Sequence, residues 1–124
     1  MIVADTAIWV DYLNRGDPVL EHLLEGEEVL MHPFVRGEVA LGNPPHRELV
    51  LADLDLLDQA IVADHDEVMQ LIEHHRLFGS GIGYVDAHLL ASTLLTEDAR
   101  LWTRDKRLAA VAARLGIAAA ALDH

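Results

Sequence analysis

Leu101-Trp102-Thr103-Arg104-Asp105-Lys106-Arg107-Leu108 reads as a strand that ends on an acid and hands over to a helix. Arg100–Thr103 has the apolar, β-favouring character of a strand, and residues 105–114 have the apolar spacing of a helix. The chain opens on the same pattern. The apolar run Met1-Ile2-Val3-Ala4 ends at Asp5, and Ile8, Trp9, Tyr12 and Leu13 then form a helical stripe. Two further acids fall at comparable places. Asp86 opens Tyr84-Val85-Asp86-Ala87-His88-Leu89-Leu90, and Glu38 lies about two turns of helix beyond the run Glu28-Val29-Leu30-Met31. Strands that alternate with helices pair in parallel, so their C-terminal ends share one edge of one sheet. Ligands bind at that edge in open α/β folds. Carboxylates gathered there repel one another unless a cation holds them, and hard oxygen donors suit Mg²⁺ or Mn²⁺.

Between these points the punctuation is regular. Thr6 is placed to cap the first helix, which Gly16 stops. Asp17-Pro18 supplies a cap and a first-turn proline for a second helix ending at Gly26. Residues 28–31 form a second strand, broken by His32-Pro33, and a third helix runs to Gly42. Pro44-Pro45 marks a boundary before a helix over 46–57. Gln59-Ala60-Ile61-Val62 reads either as a short strand or as a turn. Asp64 caps the next helix, Gly79-Ser80-Gly81-Ile82-Gly83 is a glycine-rich loop, and a helix covers Tyr84 to Leu95. Gly116-Ile117-Ala118 makes a last short strand. The expectation is a single α/β domain over 1–124, with a short, mainly parallel central sheet flanked by helices.

Composition sets further bounds. No apolar run approaches the roughly 18 residues of a spanning helix, and Asp5 interrupts any leader-like opening, so a cytoplasmic location without membrane contact is expected. The absence of cysteine removes disulfides and thiolate chemistry. The formal net charge is −12, which disfavours generic adhesion to nucleic acid and favours basic partners. A bound cation and a few local basic residues reverse the field at one site, so a nucleic-acid substrate stays open.

Each acid has a plain structural reading beside the chemical one. Asp5-Thr6 and Asp105 suit helix capping as well as metal binding. Glu38 suits a solvated helix face. Asp86, with apolar residues on both sides, is expected to be partly buried and so to need a partner. Ala7 stands where an aspartyl-phosphate enzyme carries its second acid. The glycine loop is neither a Rossmann fingerprint nor a P-loop. No His-x-x-x-His occurs, which argues against a histidine zinc site, and Ser80 and Ser92 lack a recognisable base.

Taken together, Val3–Asp11, Val35-Arg36-Gly37-Glu38-Val39, Gly81–Ala91 and Leu101–Leu108 closely resemble PIN-domain ribonucleases, and among them the VapC-type toxins of prokaryotic toxin–antitoxin modules. The resemblance covers essentially the whole chain, in matching order. It implies a PIN-like three-layer fold and an acidic quartet of Asp5, Glu38, Asp86 and Asp105 around Mg²⁺ or Mn²⁺, with Thr6 and Thr103 as supporting hydroxyls. It also implies metal-dependent endoribonuclease activity on tRNA, rRNA or mRNA, inhibition by a VapB-like antitoxin, and a homodimer. Arg104, Lys106 and Arg107 flank Asp105 and are expected to guide RNA, unless they merely pair with nearby acids such as Asp98. A housekeeping PIN nuclease without an antitoxin and a non-catalytic acidic binding domain are the alternatives.

Overall fold

The computed structural model describes residues 1–119 and 122. Its strands are β1 (Ile2–Ala4), β2 (Val29–Met31), β3 (Asp58–Gln59) and β4 (Arg100–Trp102). They form one sheet in the order β3-β2-β1-β4, and every pairing is parallel. The helices are α1 (Thr6–Arg15), α2 (Pro18–Glu25), α3 (Pro33–Leu41), α4 (Arg47–Asp55), α5 (His65–His74), α6 (Tyr84–Leu95) and α7 (Lys106–Arg114). They flank the sheet in the expected three-layer α/β arrangement. The strand expected at 116–118 is reduced to one parallel bridge, Leu101 to Ala118.

Short strands suffice because both faces of the sheet are covered. Val29, Leu30 and Met31 are all buried, the pattern of a parallel strand packed on two sides. Val3, Ile8, Leu89, Leu90, Leu101 and Leu108 are wholly or almost wholly buried around them. Helix α6 buries Ala87 through Thr93 in one continuous run, as a helix apolar on all sides does when it crosses the core. Helix α7 buries only Leu108, Val111 and Ala112 and turns its basic residues outward.

Several boundaries differ from the sequence expectation, each for a local reason. The first helix is capped by Asp5, whose Oδ1 accepts from Thr6 N, so Thr6 is the first helical residue and not the cap. The helix expected over 46–57 stops at Asp55, because Asp58–Gln59 are drawn into pairing with Leu30 and Met31. That pairing also resolves the ambiguous segment: the strand is two residues long and starts before Gln59. Asp17 and Asp64 cap α2 and α5 as expected. Gly16 ends α1 at φ +76°, a conformation that glycine adopts without a side-chain clash. No helix among the described residues is long and apolar enough to cross a membrane.

Candidate active site

Because β1 and β4 are parallel neighbours, with Ala4 opposite Trp102, their C-terminal ends emerge side by side. Asp5 N donates to Trp102 O at 2.9 Å and carries the pairing one step further. Thr103, 4 % exposed, then links the first and last acids. Its Oγ1 donates to Asp5 Oδ2 at 2.8 Å and accepts from Asp105 N at 3.1 Å. Asp105 Oδ1 in turn accepts from Leu108 N at 2.9 Å and caps α7. Asp5 and Asp105, the site acids expected from the sequence, thus also serve as helix caps. Thr6 meets Asp5 through its backbone N–H.

Asp86 enters from the first turn of α6, where its Oδ2 accepts from Gly83 N at 3.1 Å. The chain reaches this turn through Gly79 at φ +73° and Gly81 at φ +86°, so the glycine loop does serve a tight entry into the helix. Burial pushes the Asp86 carboxyl above the usual carboxylate range. The Gly83 N–H opposes that rise, and the charges of Asp5 and Asp105 add to it. Three carboxylates thus share one field. Each sits at the N-terminal end of a helix, α1, α6 or α7, where the helix dipole favours negative charge.

Glu38 is placed differently. It is exposed on α3 and lines a cleft with Val10, Leu13 and Asn14 of α1 and with Gly42. The charges of Asp5 and Asp105 reach Asp86, and Glu38 lines the adjoining α1–α3 groove. Among the described residues, no three acidic or histidine side chains stand close enough together to hold a metal ion as they are placed. The donor set still fits Mg²⁺ or Mn²⁺. All donors are hard oxygens, and each aspartate keeps unused lone pairs beyond its capping bonds. Mg²⁺ retains several waters and needs only one or two carboxylates, so a hydrated ion suits a cluster this open.

The basic residues divide sharply. Arg104 Nη1 pairs with Asp11 Oδ2 at 2.6 Å and Nη2 with Asp17 Oδ2 at 2.8 Å, and its guanidinium lies 5.8 Å from the Trp102 ring centre. Its partners are thus Asp11 and Asp17, not Asp98. Burial would raise the Asp17 carboxyl, but the Leu20 and Val19 N–H groups and Arg104 outweigh it and hold it below its usual range. Lys106 and Arg107 are exposed and have no acidic partner among the described residues. Arg107 lies against Gly81, where an added Cβ would stand 2.7 Å from Arg107 Cδ.

One polar pair has no local sequence signal. Ser92 does have a histidine beside it: His32 Nε2 is 3.0 Å from Ser92 Oγ. Both residues are 0 % exposed, so the pair is shut off from solvent and is not placed to meet a substrate.

Residues 2–114 match the family model described as PIN domain. Ribonuclease VapC32 of Mycobacterium tuberculosis, in strain CDC 1551 / Oshkosh and in strain ATCC 25618 / H37Rv, is 48% identical over 120 residues, covering 97% of each chain. A solved structure described as FitAB bound to an IR36 DNA fragment superposes with a TM-score of 0.61 at 16% identity, covering 91% of both chains. At that identity the likeness is one of fold.

Proposed function

The chain belongs to the PIN-domain family and is a relative of the VapC ribonucleases, and from that membership we propose that it is a metal-dependent endoribonuclease serving as the toxin of a VapBC-like toxin–antitoxin module. The observation that carries this reading is the convergence of Asp5, Asp86 and Asp105 at the C-terminal edge of β1 and β4. A housekeeping nuclease without an antitoxin would share this chemistry. The 48% identity to a ribonuclease named VapC32 favours the toxin.

Asp5 and Asp86 are the first choices to hold Mg²⁺ or Mn²⁺, with Asp105 and Glu38 contributing through water or completing a second position. A divalent cation supplies Lewis-acid stabilisation of phosphoryl charge and a more acidic water. The protein supplies orientation. Thr103 fixes the Asp5 carboxylate by donating to one oxygen, while the Thr6 N–H holds the other. The N-termini of α1, α6 and α7 favour the anionic scissile phosphate at the same edge. The test is RNA cleavage by metal-stripped protein to which Mn²⁺ is restored, with mapping of the product ends. Attack by water that expels the 3′ oxygen leaves 5′-phosphates. A 2′,3′-cyclic phosphate would indicate attack by the ribose hydroxyl and would count against this mechanism.

RNA binding falls to Arg107 and Lys106 rather than to Arg104. Arg104 is committed to two carboxylates, whereas Arg107 is unpaired among the described residues and packs from α7 against Gly81 of the loop that leads to Asp86. Arg107→Ala is expected to raise the RNA concentration for half-maximal cleavage several-fold. It should also reduce the salt slope of binding by about one unit for one lost phosphate contact. Arg104→Ala is expected to lower the melting temperature while leaving RNA affinity and salt slope near wild type. The reverse pattern in a filter-binding titration would return the role to Arg104. The proposed partners are a basic VapB-like antitoxin and a second copy of the chain, for which Met69, Leu94 and Leu95 are exposed apolar residues on α5 and α6. The proposed setting is the cytoplasm.

A further inference from the structure

His32 follows β2 and caps the N-terminus of α3, and its imidazole is wholly buried. Pro33, at the first helical position, has no N–H, so the first donor α3 offers is Phe34 N. His32 Nδ1 accepts that bond at 3.0 Å. A ring nitrogen that accepts carries no proton, so in the neutral ring the proton is on Nε2. Nε2–H is therefore the donor to Ser92 Oγ, 3.0 Å away on α6. One imidazole caps one helix and holds another.

The surroundings keep that ring neutral and in place. Burial first, and then the charge of His88, push His32 down to about 4. Phe34 packs edge-on against His32 at 5.1 Å and against His88 at 4.6 Å, and Tyr84 packs edge-on against His88 at 4.7 Å. Tyr84 OH then meets His65 Nδ1 of α5 at 2.5 Å. Helix α3 otherwise packs mainly on α1 and α4, and α6 mainly on α5 and β4. The side chains of His32 and Phe34 thus join two helices that have different principal neighbours. Those helices carry two acids of the site: Glu38 is on α3 and Asp86 is on α6.

We propose that His32 is a positioning residue, whose hydrogen bond to Ser92 sets α6 against α3 and so fixes where Asp86 stands relative to Glu38. The functional half of this inference rests on the reading of those acids as a metal site. A solely structural role would lower stability without altering what the folded site binds.

Two variants isolate the bond. His32→Asn keeps a good helix cap but is too short to reach Ser92. Ser92→Ala removes the acceptor and leaves the cap. The readout is the Mn²⁺ concentration at half-saturation, measured by calorimetric titration of metal-stripped full-length protein whose folding is checked by circular dichroism. Each variant is expected to raise it about tenfold, the lower end of the cost of losing partners that orient ligands. The double variant should match the singles instead of multiplying them, because both remove one interaction. His32→Gln, whose amide nitrogen reaches toward the place of Nε2, should recover most of the affinity. If wild type binds Mn²⁺ and both single variants bind it equally well with lowered melting temperatures, the positioning role is overturned and the nuclease reading stands. If wild type itself binds no Mn²⁺, the metal site fails and the positioning role fails with it.

Discussion

Asp86→Asn is expected to lower RNA cleavage on the order of 10²- to 10³-fold, the scale of removing one preorganised electrostatic group from an active site, while raising the melting temperature of the metal-free protein. The two effects have one cause. Asp86 is half-buried at the N-terminus of α6, and Asp5 and Asp105 oppose its ionisation. Asparagine keeps the shape, and its Oδ1 still accepts from Gly83 N, but it removes the negative charge that a cation needs. The sign of the pH dependence follows from the direction of the shift. A carboxyl whose folded pKa is raised binds its proton more readily folded than unfolded. Its ionisation therefore destabilises the fold at neutral pH, and stability is regained as pH falls through the raised pKa. The stabilisation by Asp86→Asn should be full at pH 7 and vanish once Asp86 is protonated in both states. Thermal melts of wild type and variant across pH 3–8 read this directly. An active variant, or one less stable at pH 7 and unchanged with pH, would mean that Asp86 is a cap and no more.

Inhibition by a basic partner is the second large effect. Expression of the chain alone is expected to arrest growth, and co-expression of an arginine-bearing antitoxin should restore it. At −12 the protein attracts cations, and a guanidinium matches a carboxylate with two parallel hydrogen bonds. An arginine placed among Asp5, Asp86 and Asp105 would take the position a divalent ion needs. Partner and Mn²⁺ should therefore compete, each weakening the other by the same factor. In vitro, a stoichiometric amount of partner should bring cleavage to background. Binding should survive moderate salt if apolar contacts accompany the ion pairs, since exposed pairs alone are weak and screened. A chain that is harmless when expressed alone, or whose partner binds equally well with and without saturating Mn²⁺, would remove the toxin role and leave the nuclease chemistry untouched.

The legibility of the site in the sequence followed the range of the forces involved. Asp5 and Asp105 stand at strand ends, and parallel pairing of β1 with β4 brings such ends together regardless of detail. Asp86 was accessible too, since an acid inside an apolar run needs a partner. Glu38 carries the weakest signal, an acid on an amphipathic helix, and in the structure it lines the α1–α3 groove. Strand β3 is too short for any periodicity to mark it, and only its pairing with β2 defines it. Arg104 looks like part of a basic surface when read with Lys106 and Arg107. Its partners Asp11 and Asp17 lie 93 and 87 residues away, beyond any local pattern. The His32–Ser92 bond spans 60 residues and was likewise invisible. Local chemistry marks the candidate residues, and long-range packing decides which of them pair.

The most direct measurement is the rate at which the purified, partner-free protein cuts RNA, first after stripping with EDTA and then as Mn²⁺ is titrated back. The carboxylate cluster predicts a rate at background in EDTA that rises saturably with Mn²⁺, and products that carry 5′-phosphates. Stripped protein that cuts RNA as fast as the metal-loaded protein would contradict it.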